Sequence, residues 1–214
     1  KSIVFYCVDI SYKAMKLGSS LFEALCNFTN NCSSSSKLNT REDVEHSGSK
    51  WKIKRIVGKF GINIGEKLNF FVSANMFNEL FWKRREKLNG DAKKYSKTIL
   101  EYLKDDAKIL IIEPGLPIGG EIVATFRQFL LEKGFSIISP CPHECVCSIH
   151  SNLRDGHAIA KGKWCHFSFS TMSAPNRLLR FSEDVRLAKK TVSLSYIYCS
   201  RVGKTNTSKT RHNI

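Results

Sequence analysis

The sequence contains no apolar run long enough to cross a lipid bilayer, and it contains no internal repeat. Its first residues, KSIVFYCVDIS, lack both the apolar core and the small-residue cleavage site of a signal peptide. Four of the eight cysteines cluster within residues 140–169, where closely spaced CxC and CxxxC pairs suit metal ligands better than disulfide partners. We therefore expect a monomeric protein without membrane contact, in a reducing compartment such as the cytosol or an organelle matrix.

Acidic residues are scarce, with 19 Asp and Glu against 34 Lys and Arg, so the net charge is +15. This excess favours a polyanionic partner such as RNA, because each cation placed on a phosphate releases condensed counterions. A merely soluble basic surface is the alternative. The predicted RNA-binding run consists of Lys83, Arg84, Arg85 and Lys87, continues through Lys93, Lys94 and Lys97, and has Trp82 and Tyr95 interleaved for base stacking. On a helix, such a run can equally be the solvated face.

Short apolar runs alternate with amphipathic stretches along most of the chain. The predicted strands cover residues 3–8, 51–64, 68–75, 107–115, 135–139 and 191–198, and the predicted helices cover 11–28, 76–88, 91–105, 118–134 and 174–185. Ser11 and Asp91 are the expected caps of the first and third helices. This alternation predicts an α/β fold with a parallel, doubly wound sheet covered by helices on both faces.

Composition divides this α/β fold into segments. Residues 1–139 form the predicted α/β domain, in which 28–49 is a polar mobile loop. Residues 140–170 form a cysteine-rich metal-binding insert, and 171–199 return as a helix and the last strand. Residues 200–214 are expected to be a disordered basic tail.

Three polar residues follow predicted strands, where ligands bind in open α/β sheets. Asp9 ends the first strand, and Asn75 and Glu113 end later ones. They are the candidate cofactor-binding residues. Alternatively, Asp9 and Asn75 cap the helices that follow them, and Glu113 pairs with a nearby base. The glycines of GKFGINIG and PGLPIGG are wrongly placed for a phosphate cradle beside Asp9. Either the chain lacks the first strand of the sheet, or the protein has no normal cofactor cradle.

The segment PCPHECVCSIHSNLRDGHAIAKGKWCHFSF concentrates soft ligands. Its four thiols, Cys141, Cys145, Cys147 and Cys165, are spaced as a tight loop with one ligand returning from a distance. Thiolates of this kind suit zinc or an iron–sulfur cluster. Four histidines can complete a zinc site instead: His143, His150, His157 and His166. Free or buried thiols are the alternative, and Cys32 is interpreted as an incidental thiol.

The same segment carries a resemblance. PCPHECVC followed by WCHFSF resembles the CPHxxxCP…WCHF signature of the methyltransferase-like family of mitochondrial and bacterial small-ribosomal-subunit proteins. The stretches FVSANMFNEL, IIEPGLPIGGEIVATFRQFLLEKGFSIISPCPH and APNRLLRFSEDVRLAKKTVSLSY are similar to further blocks of that family. The matches keep the family's order across nearly all of residues 1–198.

The resemblance implies a 4Fe-4S cluster held by Cys141, Cys147 and Cys165. The family's fourth cysteine falls in a segment that this chain is expected to lack, which leaves Cys145 or Cys199 as the fourth ligand. The resemblance also implies a Rossmann-like methyltransferase fold that binds S-adenosylmethionine. Its glycine motif would lie before Lys1, so residues 3–8 become the second strand, with Asp9 facing the ribose. The chain is expected to be truncated at both ends.

Three functions follow from these observations. The first is an assembly or translation factor of the small ribosomal subunit that binds rRNA and an iron–sulfur cluster, in the bacterial cytoplasm or the mitochondrial matrix. The second is an S-adenosylmethionine-dependent RNA methyltransferase, for which the sequence identifies no catalytic residue because such transfer depends mainly on positioning. The third is a zinc-stapled α/β domain without an RNA role.

Overall fold

The computed structural model describes residues 3–30, 44–45, 51–81, 87–141, 143–147 and 164–201. The chain divides into two units, Lys1–Glu66 and Lys67–Ile214, which we take one at a time. Both units combine strands with helices, so the protein is of mixed α/β class, compatible with a Rossmann-like fold. No helix within the described ranges is both long and apolar enough to span a membrane.

The first unit contains the predicted first strand and helix. Its elements are β1 (Ile3–Asp9), α1 (Tyr12–Asn30), β2 (Val44–Glu45) and β3 (Trp51–Val57). β1 and β3 are parallel neighbours, so a crossover must join them, and α1 lies in that crossover. β2 pairs antiparallel with β3. The predicted cap is confirmed, since the Ala14 N–H donates to Ser11 Oγ over 3.2 Å.

The second unit is built on a five-stranded sheet. Its elements are β4 (Leu68–Ala74), α2 (Met76–Phe81), α3 (Leu88–Tyr102), β5 (Leu103–Pro114), α4 (Pro117–Glu132), β6 (Ser136–Ser139), β7 (Phe167–Ser170), a short 3₁₀ turn (Thr171–Ser173), α5 (Asn176–Asp184) and β8 (Thr191–Ser200). The strand order is β4-β5-β8-β6, and β7 also pairs with β8. Helices α2 and α4 pack on the sheet, and α3 packs on α4.

The expectation of a wholly parallel sheet is wrong for this unit. β4 and β5 are parallel, but β8 runs antiparallel to β5, β6 and β7. The burial of β8 alternates, with Ser195, Ile197 and Cys199 buried and their neighbours half-buried. Such alternation is typical of a strand with one covered face, and antiparallel sheets commonly have this form. On the opposite face of the sheet, Phe70 and Val72 are 48% and 52% exposed.

An aromatic cluster joins the helices α2, α3 and α4 of the second unit. The ring of Phe77 on α2 lies 4.4 Å from that of Phe126 on α4, centroid to centroid. Tyr95 on α3 packs against Phe77 and Phe81, at 6.0 and 5.6 Å. Both phenylalanines of α2 and Phe126 are fully buried, and this burial stabilises the helical layer. Tyr95 is half-buried against these rings, and its role as an interleaved stacking ring stays a prediction.

Several element boundaries differ from those predicted. The helix expected over 76–88 is described as Met76–Phe81, and residues 82–86 lie outside the described residues. Asp91 does not cap α3, which begins at Leu88 and holds Asp91 in its first turn. Of the loop predicted over 28–49, the described parts belong to α1 and β2, and the rest lies outside the described residues. Most of the predicted tail, residues 202–214, also lies outside them.

Candidate metal centre

The cysteine-rich segment leaves and re-enters the sheet along a single edge. Leu194 of β8 pairs with Pro114 of β5 and with Phe167 of β7, so β5 and β7 lie on opposite sides of β8. β6 shares the β7 side, where it ends with Ser139 opposite Tyr198. The end of β6 and the start of β7 are therefore four β8 residues apart, or about 13 Å. This gap receives both ends of the cysteine-rich segment.

The first and last cysteines of the segment lie near the two ends of this gap. Cys141 follows β6 by two residues, and Cys165 precedes β7 by two. Each thus lies just inside one end of the gap. Ser139 Oγ lies 2.9 Å from the Tyr196 hydroxyl, and the rings of Phe167 and Tyr196 are 5.2 Å apart. Tyr196 therefore contacts the strand residues that flank both ends.

Backbone contacts fix the returning end of the segment. The Ser195 hydroxyl donates to the carbonyl oxygen of Cys165 over 2.6 Å, and the indole N–H of Trp164 donates to the carbonyl oxygen of Gly115 over 2.9 Å. Gly120 of α4 lies against Cys165, since a Cβ at Gly120 would stand 2.9 Å from the Cys165 carbonyl oxygen. The glycines of PGLPIGG thus have a packing role: they let a strand end, a helix and the cysteine-bearing loop approach closely.

Arg127 of α4 contacts the beginning of the cysteine-rich segment, which follows β6. Its guanidinium Nη2 donates to the carbonyl oxygen of His143 over 2.6 Å and lies 3.3 Å from His143 Nδ1. The side chain is only 6% exposed, and its buried Nε has no hydrogen-bond partner among the described residues. Arg127 therefore ties the Cys141–Cys147 stretch to the same helix that Cys165 contacts.

The thiols of Cys141 and Cys147 lie within electrostatic reach of Cys165. Burial raises the pKa of Cys165, the neighbouring Cys141 and Cys147 raise it further, and the positive charge of Arg127 lowers it. All three thiols are half-buried, whereas Cys145 is exposed. Among the residues that the structure describes, no group of three His, Cys, Asp or Glu side chains is close enough to hold a metal ion. His150 and His157 lie outside the described residues, and His166 is exposed.

Cys199 occupies a different environment. It is fully buried in β8, between Ile109 of β5 and Ile137 of β6. Burial alone raises its pKa to about 12, without a contribution from the other cysteines. A thiol so strongly biased towards its neutral form is a poor metal ligand. Its environment is that of a core residue.

The carboxylate of Glu113 binds the beginning of α2. Its two oxygens accept hydrogen bonds from the backbone N–H groups of Phe77 and Asn78, at 3.0 and 2.9 Å. Glu113 is fully buried, and this burial raises its pKa to about 7. Helix α2 is thus capped from the neighbouring strand and not by Asn75. Glu113 itself pairs with backbone amides rather than with the base envisaged as its partner.

The other predicted cofactor residues are exposed. Asn75 has a φ of 57° at the carboxyl end of β4, and its N–H donates to the Ile112 carbonyl oxygen over 2.8 Å. Asp9 belongs to the first unit, where its Oδ1 accepts a 2.6 Å hydrogen bond from the Ser11 N–H. This contact fits the interpretation of Asp9 as a helix-start residue. Cofactor binding by Asp9, Asn75 and Glu113 stays a prediction.

Only part of the predicted RNA-binding run is described. Lys83, Arg84 and Arg85 lie outside the described residues. Lys87 is exposed immediately before α3. The three lysines that follow on α3 are exposed as well: Lys93, Lys94 and Lys97. These four cations are accessible to a polyanion.

Sequence reasoning missed Arg127 and Ser195, both of which act on the cysteine-bearing loop. Arg127 lies within the apolar stretch EIVATFRQFLL, and a cation among residues of a buried helix is a signal that it has a buried partner. Ser195 gave no such signal, because its partner is a backbone carbonyl 30 residues away. The same reasoning missed β7, although FSFS alternates as a strand does.

Comparison with known proteins identifies the family. A search of curated proteins found no match. The family profile described as "Mitochondrial small ribosomal subunit Rsm22" matches residues 4–211, which is most of the 214-residue chain. This agrees with the resemblance carried by the cysteine segment and its flanking blocks. The chain therefore belongs to the mitochondrial small ribosomal subunit Rsm22 family.

Proposed function

We propose that this protein is an assembly or translation factor of the small ribosomal subunit, acting in the mitochondrial matrix, that binds rRNA and carries a 4Fe-4S cluster. Family membership supports the ribosomal and mitochondrial parts of the proposal, because the family description names both. The net charge of +15 supports an RNA partner. The cluster is supported by three half-buried thiols, those of Cys141, Cys147 and Cys165, of which the first two act electrostatically on the third.

The donor chemistry of this gap fits an iron–sulfur cluster. Clusters of this type are held by cysteine thiolates, and Cys141 and Cys147 already act electrostatically on Cys165. Cys145, exposed and two residues from Cys147, is our candidate for the fourth ligand, since Cys199 is buried in the core. When bound, the cluster would rigidify a loop that is otherwise polar. Metal binding of this kind supplies folding free energy to the segment that makes it.

Iron and sulfide analysis of cysteine variants tests the cluster. Cys141→Ser, Cys147→Ser and Cys165→Ser are each expected to lose iron and sulfide after anaerobic purification. Cys7→Ser is the matched control, because Cys7 is an exposed thiol of the first unit. Full iron and sulfide in the Cys165→Ser protein would refute the ligand assignment. Zinc in place of iron in the unmodified protein would favour the zinc-stapled alternative.

The rRNA part of the proposal depends on accessible cations. Lys87 and the exposed lysines of α3 present one such surface. Exposed arginines are also present on α5, at Arg177 and Arg180. We expect the logarithm of the binding constant for small-subunit rRNA to fall linearly with the logarithm of the salt concentration. A binding constant that does not change with salt would exclude phosphate contacts.

S-adenosylmethionine binding is a second candidate. One observation favours it: Asn75 is exposed at the carboxyl end of β4, the edge at which open α/β sheets bind ligands. Calorimetric titration of the purified chain with S-adenosylmethionine tests this function separately from the cluster. Heat of binding that disappears in Asn75→Ala would support it. An absence of binding would leave the assembly-factor proposal as it stands.

A further inference from the structure

Arg127 is a buried cation without a buried anion among the described residues. It lies on α4 among fully buried apolar residues such as Phe126 and Leu130. In the described part of the chain no carboxylate pairs with it, and its hydrogen-bonding contacts are to His143. Removing a guanidinium from water is unfavourable unless a negative group nearby compensates its charge. Ionised thiols nearby would supply that compensating charge.

The position of Arg127 relates it to both ends of the cysteine segment. Its hydrogen bond to the His143 carbonyl holds the stretch between Cys141 and Cys147. Cys165 approaches the same helix beside Gly120, about two turns before Arg127. The Nε–H is buried and unpartnered among the described residues, so one donor remains for an acceptor at this site. Hydrogen bonds to ligand sulfurs and nearby charge both tune iron–sulfur centres.

We propose that Arg127 is a positioning residue of the cysteine centre, which anchors the Cys141–Cys147 stretch to α4 and compensates the negative charge of the metal-bound thiolates. This inference rests on the proposed cluster. The buried guanidinium and the anionic centre then stabilise each other. Reduction adds a further negative charge to the cluster, so a neighbouring cation favours the reduced form.

Two substitutions separate the anchor from the charge. Arg127→Gln removes the charge, and it is expected to make removal of the cluster by a chelator about 10-fold faster or more. It should also shift the midpoint potential to more negative values. Arg127→Lys keeps the charge but not the planar fork. Its potential should stay near that of the unmodified protein, while a chelator removes its cluster faster. Arg180→Gln, the same change at an exposed arginine of α5, is the control.

The readouts are the chelator-induced decay of cluster absorption and the midpoint potential, with far-UV circular dichroism as the check on folding. If Arg127→Gln fails to fold, the comparison uses Arg127→Lys, whose cluster absorption must still decay faster. A folded Arg127→Gln protein with unchanged lability and potential would overturn this inference while leaving the cluster in place. An unmodified protein that binds no iron would overturn both the proposed function and this inference.

Discussion

The buried carboxylate of Glu113 makes the stability of the second unit depend on pH in an unusual direction. Burial raises the pKa of Glu113 from its ordinary value of 4.5 to about 7, although the N–H groups of Phe77 and Asn78 oppose the rise. Below pH 4.5, the carboxyl is protonated in the folded and the unfolded chain alike. Above that pH the unfolded chain loses its proton first, so folding stability falls until the pH passes about 7.

The size of this effect follows from the two pKa values. At roughly 1.36 kcal/mol per pH unit, the difference between 4.5 and about 7 corresponds to about 3 kcal/mol. Glu113→Gln imitates the neutral acid in shape and keeps one carbonyl acceptor for α2. Near the lower of the two pKa values, the variant should therefore have the same free energy of unfolding as the unmodified protein. Above the higher value, the variant should be more stable by up to about 3 kcal/mol.

Urea unfolding, repeated from about pH 5 to about pH 8, measures the effect. Glu101→Gln is the control, because Glu101 is an exposed glutamate of α3. The unmodified protein and this control should become less stable with rising pH, whereas the stability of Glu113→Gln should fall less. If the free energies of unfolding of the unmodified protein and of Glu113→Gln changed in parallel with pH, the reasoning would be refuted. It would also be refuted if the unmodified protein gained stability relative to Glu113→Gln as the pH rises.

Three further predictions concern the second unit. Cys199→Ala should retain the full iron and sulfide content, because Cys199 is a core thiol, and a variant without the cluster would show that Cys199 is a ligand. Gly120→Ala should destabilise the protein by about 1–3 kcal/mol in thermal unfolding, because its Cβ would press on the Cys165 backbone, and an unchanged melting temperature would contradict that packing. Replacing three exposed lysines of α3 by Glu should reduce the salt slope of rRNA binding, by about 0.7–0.9 for each phosphate that the variant no longer neutralises, and an unchanged slope would remove α3 from the interface. The lysines concerned are Lys93, Lys94 and Lys97.

Local elements were predictable where the sequence pattern is strong. The run Ile3–Asp9 and the apolar stretch that ends β5 are strands, and Gly134, with a φ of 77°, follows the end of α4 as expected. Ser11 caps α1 because its side chain acts on its own helix. These features depend on neighbours in sequence, so the sequence contains enough to predict them.

The strand directions of the second unit were not predictable in the same way. Whether β8 runs parallel or antiparallel to β5 depends on a pairing across some 80 residues, such as Ile111 opposite Ile197. Apolar periodicity does not report such pairing. The alternating burial of β8 agrees with an antiparallel strand, but the sequence TVSLSYIY was interpreted only as a strand.

The residues that support the candidate site were less predictable than its cysteines. Cysteine spacing and the family resemblance select Cys141, Cys147 and Cys165, and in the structure the first two act electrostatically on the third; their role as ligands stays a prediction. The residues that hold them in place were not recognised, because Arg127 acts through a backbone carbonyl. Glu113 was assigned to a pocket because a strand-end carboxylate is typical of ligand sites. Its actual partners are amides of a helix that begins 37 residues earlier in the chain.

The central claim is that the thiols of Cys141, Cys147 and Cys165 share one iron–sulfur centre. X-ray absorption at the iron and zinc edges, on the anaerobically purified chain, tests it most directly. We predict iron surrounded by sulfur, with a second shell of iron that only a cluster produces, and we predict that this signal disappears in Cys165→Ser. Zinc with no neighbouring metal, or iron without the second shell, would contradict the claim.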